Sequence, residues 1–316
     1  MYTFALLRTD RTDEARAYNE PFLGPHTRGV ELTTKPFIRS CGLSNIDPQH
    51  KPGGGSSVIE DALGEPFWPE NTIFVTQRPD KDAIGYMAIQ QARALGLESK
   101  LNLDLIRWAG AADRLGARTA AREYPELEER FREVPYLGAL NIIAWKHSLF
   151  RKIEERVLAT MHVLCGMVSD VHIMQFARQA PLFTRQEFRP EIKGEVAYLE
   201  APNFYKEARG WLGSRSRVGV VLDPTYWSQN GGVSRRITVI FSQEPVYRWE
   251  LQAKINLIQA EARGMSVTEL EDEGLDWGGG PRLLSAPEGF GRGTNLSGRE
   301  VFSLVSQMHE ASHEVK

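Results

Sequence analysis

The run Thr72-Ile-Phe-Val-Thr-Gln-Arg-Pro-Asp-Lys-Asp-Ala-Ile-Gly85 constrains the fold more than any other stretch of this chain. Ile73, Phe74 and Val75 form a short apolar run, β-branched and aromatic, which predicts a buried strand. Pro79 ends it. A helical pattern follows at once, with Ile84, Met87, Ala88 and Leu95 spaced for one face. Strand, turn and helix in that order build an open α/β sheet, whose ligands bind past the carboxyl ends of the strands. Asp80 and Asp82 fall at that end. In an extended segment residues i and i+2 point the same way, so the two carboxylates are expected to converge. Such a pair repels itself and calls for a cation or a shared proton. The plainer alternative is a turn former and helix N-cap.

A second ligand-type group precedes it. Residues 41–63 contain Asp47 and His50, both good metal ligands, then Gly53-Gly-Gly and the capping box Ser57-x-x-Glu60 that opens a helix. Further on, Leu105, Ile106, Ala109 and Ala112 form a helical stripe that ends at Asp113, a fourth carboxylate able to turn inward or to pair with Arg114. Residues 119–165 are strongly helical.

Pro181, Pro190 and Gly194 mark a linker over 180–195, beyond which the pattern changes. Glu195–Leu199, Val218–Asp223 and Arg236–Phe241 predict strands, and Tyr247–Ala262 a helix. The chain is therefore expected to be α/β throughout. A parallel-rich domain occupies 1–185 and a smaller substrate-binding domain 195–316. Residues 274–300 are dense in glycine, and Gly278, Gly279, Gly280, Arg282, Arg292 and Thr294 make an expected oxyanion or phosphate site. Ser297-x-x-Glu300 is a second capping box, opening the last helix. His309 and His313 are assigned no role.

The net charge of −3 gives no global case for nucleic acid or membrane. Two cysteines, Cys41 and Cys165, form neither a CxxC motif nor a disulfide framework. The opening Met-Tyr-Thr-Phe-Ala-Leu-Leu-Arg has no secretory pattern and no apolar run has membrane-spanning length, so the expectation is a cytoplasmic protein.

These motifs resemble the DHH phosphoesterase superfamily. Pro79-Asp80-x-Asp82-Ala83-x-Gly85 is similar to that family's Pro-Asp-x-Asp-Ala-x-Gly run, and Asp47-Pro-Gln-His50 looks like an altered Asp-His-His triplet. The match departs in three ways. Thr76 stands where the family has histidine, the central histidine of the triplet is replaced, and the triplet-like motif precedes the Asp-x-Asp motif. The resemblance implies one or two manganese or magnesium ions on Asp47, His50, Asp80, Asp82 and Asp113. It also implies hydrolysis of a phosphoester or phosphoanhydride by metal-activated water in an interdomain cleft, with Asp80, Asp82 and His50 as the catalytic group. The substrate would be a small anion, a nucleotide or a short oligonucleotide. A homodimer, hydrolysis of a C–N bond on the same scaffold, and a catalytically degenerate anion-binding protein all stay open.

Overall fold

Ile73–Thr76 is a strand, as its apolar run predicts, and it sits inside a sheet rather than at an edge. The computed structural model describes the chain except residues 9–12, 33–37, 39–40, 48–55, 78, 146–148, 180–187, 203–204, 228–232, 288–292 and 315–316. The chain divides into two units, Met1–Leu182 and Phe183–Lys316.

The sheet of the first unit has four parallel strands: β1 (Thr3–Leu6), β2 (Thr27–Val30), β3 (Ser44–Ile46) and β4 (Ile73–Thr76), in the order β1-β4-β2-β3. One face buries Phe4, Val30 and Phe74 against helices α2 (Val58–Asp61), α3 (Lys81–Ala94) and α4 (Leu103–Leu115). The other buries Ala5, Leu32, Leu43 and Val75 against Ile38, Cys41 and the 3-10 turn Glu20–Phe22 that follows α1 (Asp13–Asn19). The chain thus leaves β1 and β2 over one face and leaves β4, inserted between them, over the opposite face. Strands whose outgoing connections part in this way leave a crevice at their carboxyl ends. β4 has such a crevice on each side.

Helix α3 is buried from Lys81 to Arg93. It is packed among α2, α4, α7 (Tyr136–Trp145) and α8 (Ile153–Leu164), while α5 (Ala117–Glu123), α6 (Pro125–Phe131) and α9 (Asp170–Ala177) complete the unit. Gly85 is where α2 comes closest to it, since an added Cβ would lie 2.3 Å from Ile59 Cδ1. The glycine of the Pro-Asp-x-Asp-Ala-x-Gly run is thereby explained by packing.

The second unit holds a mixed sheet in the order β5-β6-β7-β8-β9: β5 (Glu191–Lys193), β6 (Val196–Glu200), β7 (Val218–Trp227), β8 (Val233–Phe241) and β9 (Leu283–Ser285). Only β6 and β7 pair in parallel. α10 (Tyr205–Gly213) covers one face. α11 (Arg248–Arg263) and α13 (Gly298–Glu314) cover the other, with α12 (Val267–Asp272) beside α11. Both predicted capping boxes form: the Glu60 carboxylate accepts from Ser57 N at 3.2 Å, and that of Glu300 from Ser297 N at 2.6 Å. Among the described residues no helix is long and apolar enough to cross a membrane.

Candidate functional site

Three of the four parallel strands lead into an acid at their carboxyl ends: Glu31 directly after β2, Asp47 directly after β3 and Asp80 four residues after β4. Asp80 and Asp82 do not converge as the extended-segment argument expects. The helix begins at Lys81, so Asp80 is its N-cap and Asp82 lies in its first turn. Asp80 Oδ1 accepts from Ala83 N at 2.9 Å. Asp82, 1% exposed, reaches a different helix, where its two oxygens accept from Val58 N at 3.0 Å and Ile59 N at 3.2 Å. Both bonds close the open N-terminus of α2. Asp82 is therefore a structural carboxylate as it stands, its oxygens already used by backbone N–H groups.

The partner of Asp80 is instead Glu31, with which it shares a side-chain hydrogen bond. Two carboxyl groups can share a bond only when one keeps its proton. Glu31 is that one. Burial pushes its pKa well above the usual carboxylate range, and the charges of Asp80, Asp82, Asp113 and Asp47 push it further. Burial followed by the charge of Asp113 also raises Asp80, and raises Asp82 strongly. Glu31 is 6% exposed, and its Oε2 has no hydrogen-bond partner among the described residues. A buried carboxyl oxygen left unpaired costs about 1–3 kcal/mol. The backbone is strained at the same residue: among the described residues Glu31 is the one non-glycine with a left-handed φ, +51°. Neighbouring bonds enforce that conformation. Glu31 N donates to Ile46 O at 3.0 Å, while the Asn45 amide accepts from Leu32 N at 3.0 Å and donates to Leu32 O at 2.8 Å. Strain that its surroundings over-determine in this way is typical of functional positions.

One ammonium faces these acids. Lys81 Nζ lies 2.5 Å from Asp113 Oδ1, with both side chains largely buried. Burial alone would lower the lysine pKa, but Asp113, Asp82 and Asp80 outweigh it and hold it above the ordinary value. Asp113 thus turns inward from α4 and is paired. Among the described residues no three acid, histidine or cysteine side chains already stand as a ligand set. The physical reason is local: Lys81 engages Asp113, and Asp82 is committed to α2. His50, expected beside Asp47, lies outside the described residues, as does Arg292. Thr76, at the histidine position of the resemblance, is fully buried at the end of β4, where its carbonyl accepts from Leu7 N at 2.8 Å.

The glycine-rich segment of the second unit is a packed turn rather than an open cradle. Gly278 exchanges two backbone bonds with Ser285, at 2.8 and 3.1 Å. The Gly279 and Gly280 carbonyls each accept from the buried Arg248 at 3.2 Å. Burial lowers the Arg248 pKa to about 10. Gly279 has φ +139°, and an added Cβ would lie 2.4 Å from Leu283 O, which accounts for the glycine. The Thr294 hydroxyl donates to Gln259 Oε1 at 2.6 Å, inside a network around the fully buried Trp277. Arg282 is half-buried beside this turn, and its carbonyl accepts from Phe241 N at 2.9 Å.

A polar cluster that the spacing did not reveal lies on the opposite face of this sheet. Arg236, 7% exposed, sits over the rings of Tyr205 and Tyr226 and donates to Ala286 O at 2.8 Å. Tyr205 bonds Thr238, which bonds Ser285 at 2.8 Å. Burial would raise the Tyr205 pKa, but the charges of Arg236 and Arg209 outweigh it and lower it. The alternation Arg236, Thr238, Ile240 on one side of β8 and Ile237, Val239, Phe241 on the other is the sequence signal that marks this face.

Compared with known proteins, the chain matches no family model and no curated sequence.

Proposed function

We propose that the first unit is a divalent-cation-dependent hydrolase of phosphoester or phosphoanhydride bonds, acting at the carboxyl ends of β4, β2 and β3. The observation that carries this reading is the buried Oε2 of Glu31, unpartnered among the described residues, beside Asp80. A carboxyl group that is buried, strained and half-satisfied in the protein alone is stabilised by a ligand of positive charge. Glu31 and Asp80 would hold the cation, with Asp47 and Asp113 as neighbours and His50 supplied by the loop after β3. Manganese or magnesium suits such an oxygen-rich set. The cation, when bound, supplies acidification of a water and neutralisation of charge on phosphoryl oxygens. The chain's own contribution is to fix the carboxylates. Asp82 ties α3 to α2, Asn45 sets the turn at Glu31, and Lys81 restrains Asp113. The likeness of Pro79–Gly85 to the DHH phosphoesterase motif supports the same chemistry, with a small phosphorylated compound, nucleotide or short oligonucleotide as substrate.

The test is metal content after purification without chelator, combined with a screen of phosphoesters with and without manganese. One or two equivalents of metal, lost together with turnover in Glu31→Gln and in Asp80→Asn, is the expected result. A second reading, an anion-binding protein without catalysis, is favoured by Lys81, whose ammonium stands where a cation would neutralise the acids. On that reading the wild type binds no divalent ion and Lys81→Ala gains the ability, an outcome that would sink the hydrolase proposal.

A further inference from the structure

The acids account for one flank of β4, where it meets β2. The other flank, where β4 meets β1, is a crevice of the same topological kind and has opposite chemistry. A cavity of about 330 Å³ lies along β1 on this side of the sheet, with an apolar wall of Phe4, Leu6 and Phe22 and with Pro79, three residues past β4. Pro79 directly precedes Asp80, so the cavity and the acid cluster meet at adjacent residues of the chain.

The rest of the lining carries three cations, Arg151, Lys152 and Arg156, against one acid. Arg151 and Lys152 stand at the entry to α8, both exposed, and neither side chain forms an ion pair or hydrogen bond among the described residues. Arg156, 2% exposed, adds a buried charge whose N–H groups donate to Ala144 O at 2.8 Å and Phe150 O at 3.1–3.2 Å. Tyr18 also lines the cavity and carries the Arg8 guanidinium 4.4 Å from its ring centroid. Glu154 is the one acid in the lining. The volume lies at the small end of the range for organic-ligand pockets. Cations on an apolar floor are the complement of a small organic anion, in which a carboxylate or phosphate meets the side-chain donors and the body covers the hydrocarbon wall.

We propose that the cavity beside β1 is a binding site for a small, partly apolar organic anion, held through its carboxylate or phosphate by Arg151 and Lys152. Where the hydrolase reading holds, this site receives the end of the substrate remote from the scissile bond. The substrate then carries a second anionic group, and that last clause rests on the hydrolase reading.

The experiment is calorimetric titration of the full chain, in buffer containing EDTA, with phenyl phosphate and separately with benzoate. Chelation removes any contribution of a metal site, so the outcome does not depend on whether the protein is a hydrolase. Saturable binding of either probe is expected, weakened at least about tenfold in Arg151→Ala/Lys152→Ala, since two charge-assisted contacts are lost. Preference between the probes separates a phosphate ligand from a carboxylate ligand. Absence of saturable binding of both probes to the wild type, or equal affinity in the double variant, would overturn the proposal. Both substituted side chains are exposed, and unchanged thermal unfolding of the double variant verifies that its fold is intact.

Discussion

Replacing Glu31 by glutamine separates the contribution of this residue to the fold from its contribution to a bound cation. In the protein without metal, Glu31 leaves Oε2 unpaired in a buried position and adds a carboxyl group to a cluster of like charges. Glutamine keeps the shape, cannot ionise, and presents an amide that donates to Asp80. The glutamine carbonyl still lies where Oε2 did, so the gain comes from sparing the proton uptake that folding demands of a glutamate ionised in the unfolded chain, worth on the order of 2 kcal/mol. In a unit of 182 residues that corresponds to a rise of about 4–8 °C in the midpoint of thermal unfolding. The same change removes a cation ligand. Manganese at a hundredfold excess over its dissociation constant stabilises the wild type by about 2.7 kcal/mol. Glu31→Gln is therefore expected to melt above the wild type in EDTA and to lose most of the shift caused by manganese. Differential scanning calorimetry of both proteins, with EDTA and with manganese, gives the four midpoints needed. A variant less stable than the wild type in EDTA would refute the proton-uptake argument, and an undiminished manganese shift would refute the ligand assignment.

Three further outcomes follow from contacts already described. Asp82→Asn keeps one acceptor for α2 but sets an amide donor against an N–H, so urea denaturation should show a loss of about 1.5–3 kcal/mol, with faster hydrogen exchange at Val58 and Ile59. Gly279→Ala combines a backbone conformation favourable only to glycine with a Cβ clash on Leu283 O; a destabilisation of about 3 kcal/mol in the same assay is expected, and a neutral effect would show that the turn can rearrange. Glu300 has its pKa lowered by the backbone N–H and then the hydroxyl of Ser297, so its stabilisation is complete above the unfolded glutamate pKa and fades as pH falls through the lower folded value. Glu300→Gln should thus cost about 0.5 kcal/mol at neutral pH, a small value because the group is exposed, and nothing near pH 3.

The parts of this architecture that depend on neighbours in sequence were readable from sequence. Ile73–Thr76, the helix after Asp80, the capping boxes at Ser57 and Ser297, and the helix near Tyr247 all follow from periodicity and local side-chain bonds. What could not be read depends on residues that meet only in the fold. Glu31 ends an unremarkable short strand, and its left-handed φ and its burial arise from Asn45 and Ile46 on the next strand. Asp82 matches a ligand motif by spacing, but Val58 and Ile59, twenty-odd residues earlier, take both its oxygens. The glycines at 278–280 suit an anion cradle in composition, whereas Arg248, some thirty residues away, uses the carbonyls of Gly279 and Gly280 as acceptors. Each miss has one cause: a side chain's partner was non-local, and composition carries no information about it.

The insertion of β4 between β1 and β2 also sets a timetable for biosynthesis. Among the described residues β1 pairs with no strand except β4, and seventy positions separate Leu6 from Thr76. At about 5–20 residues per second, the first strand leaves the ribosome several seconds before its only hydrogen-bonding partner exists. Throughout that interval Phe4 and Ala5 are apolar groups without a sheet to join, while β2 and β3 can already pair with each other. β4 must then enter between two segments synthesised before it. The nascent chain is consequently most open to off-pathway association at β1, and release from that hazard coincides with the emergence of the segment that carries Asp80.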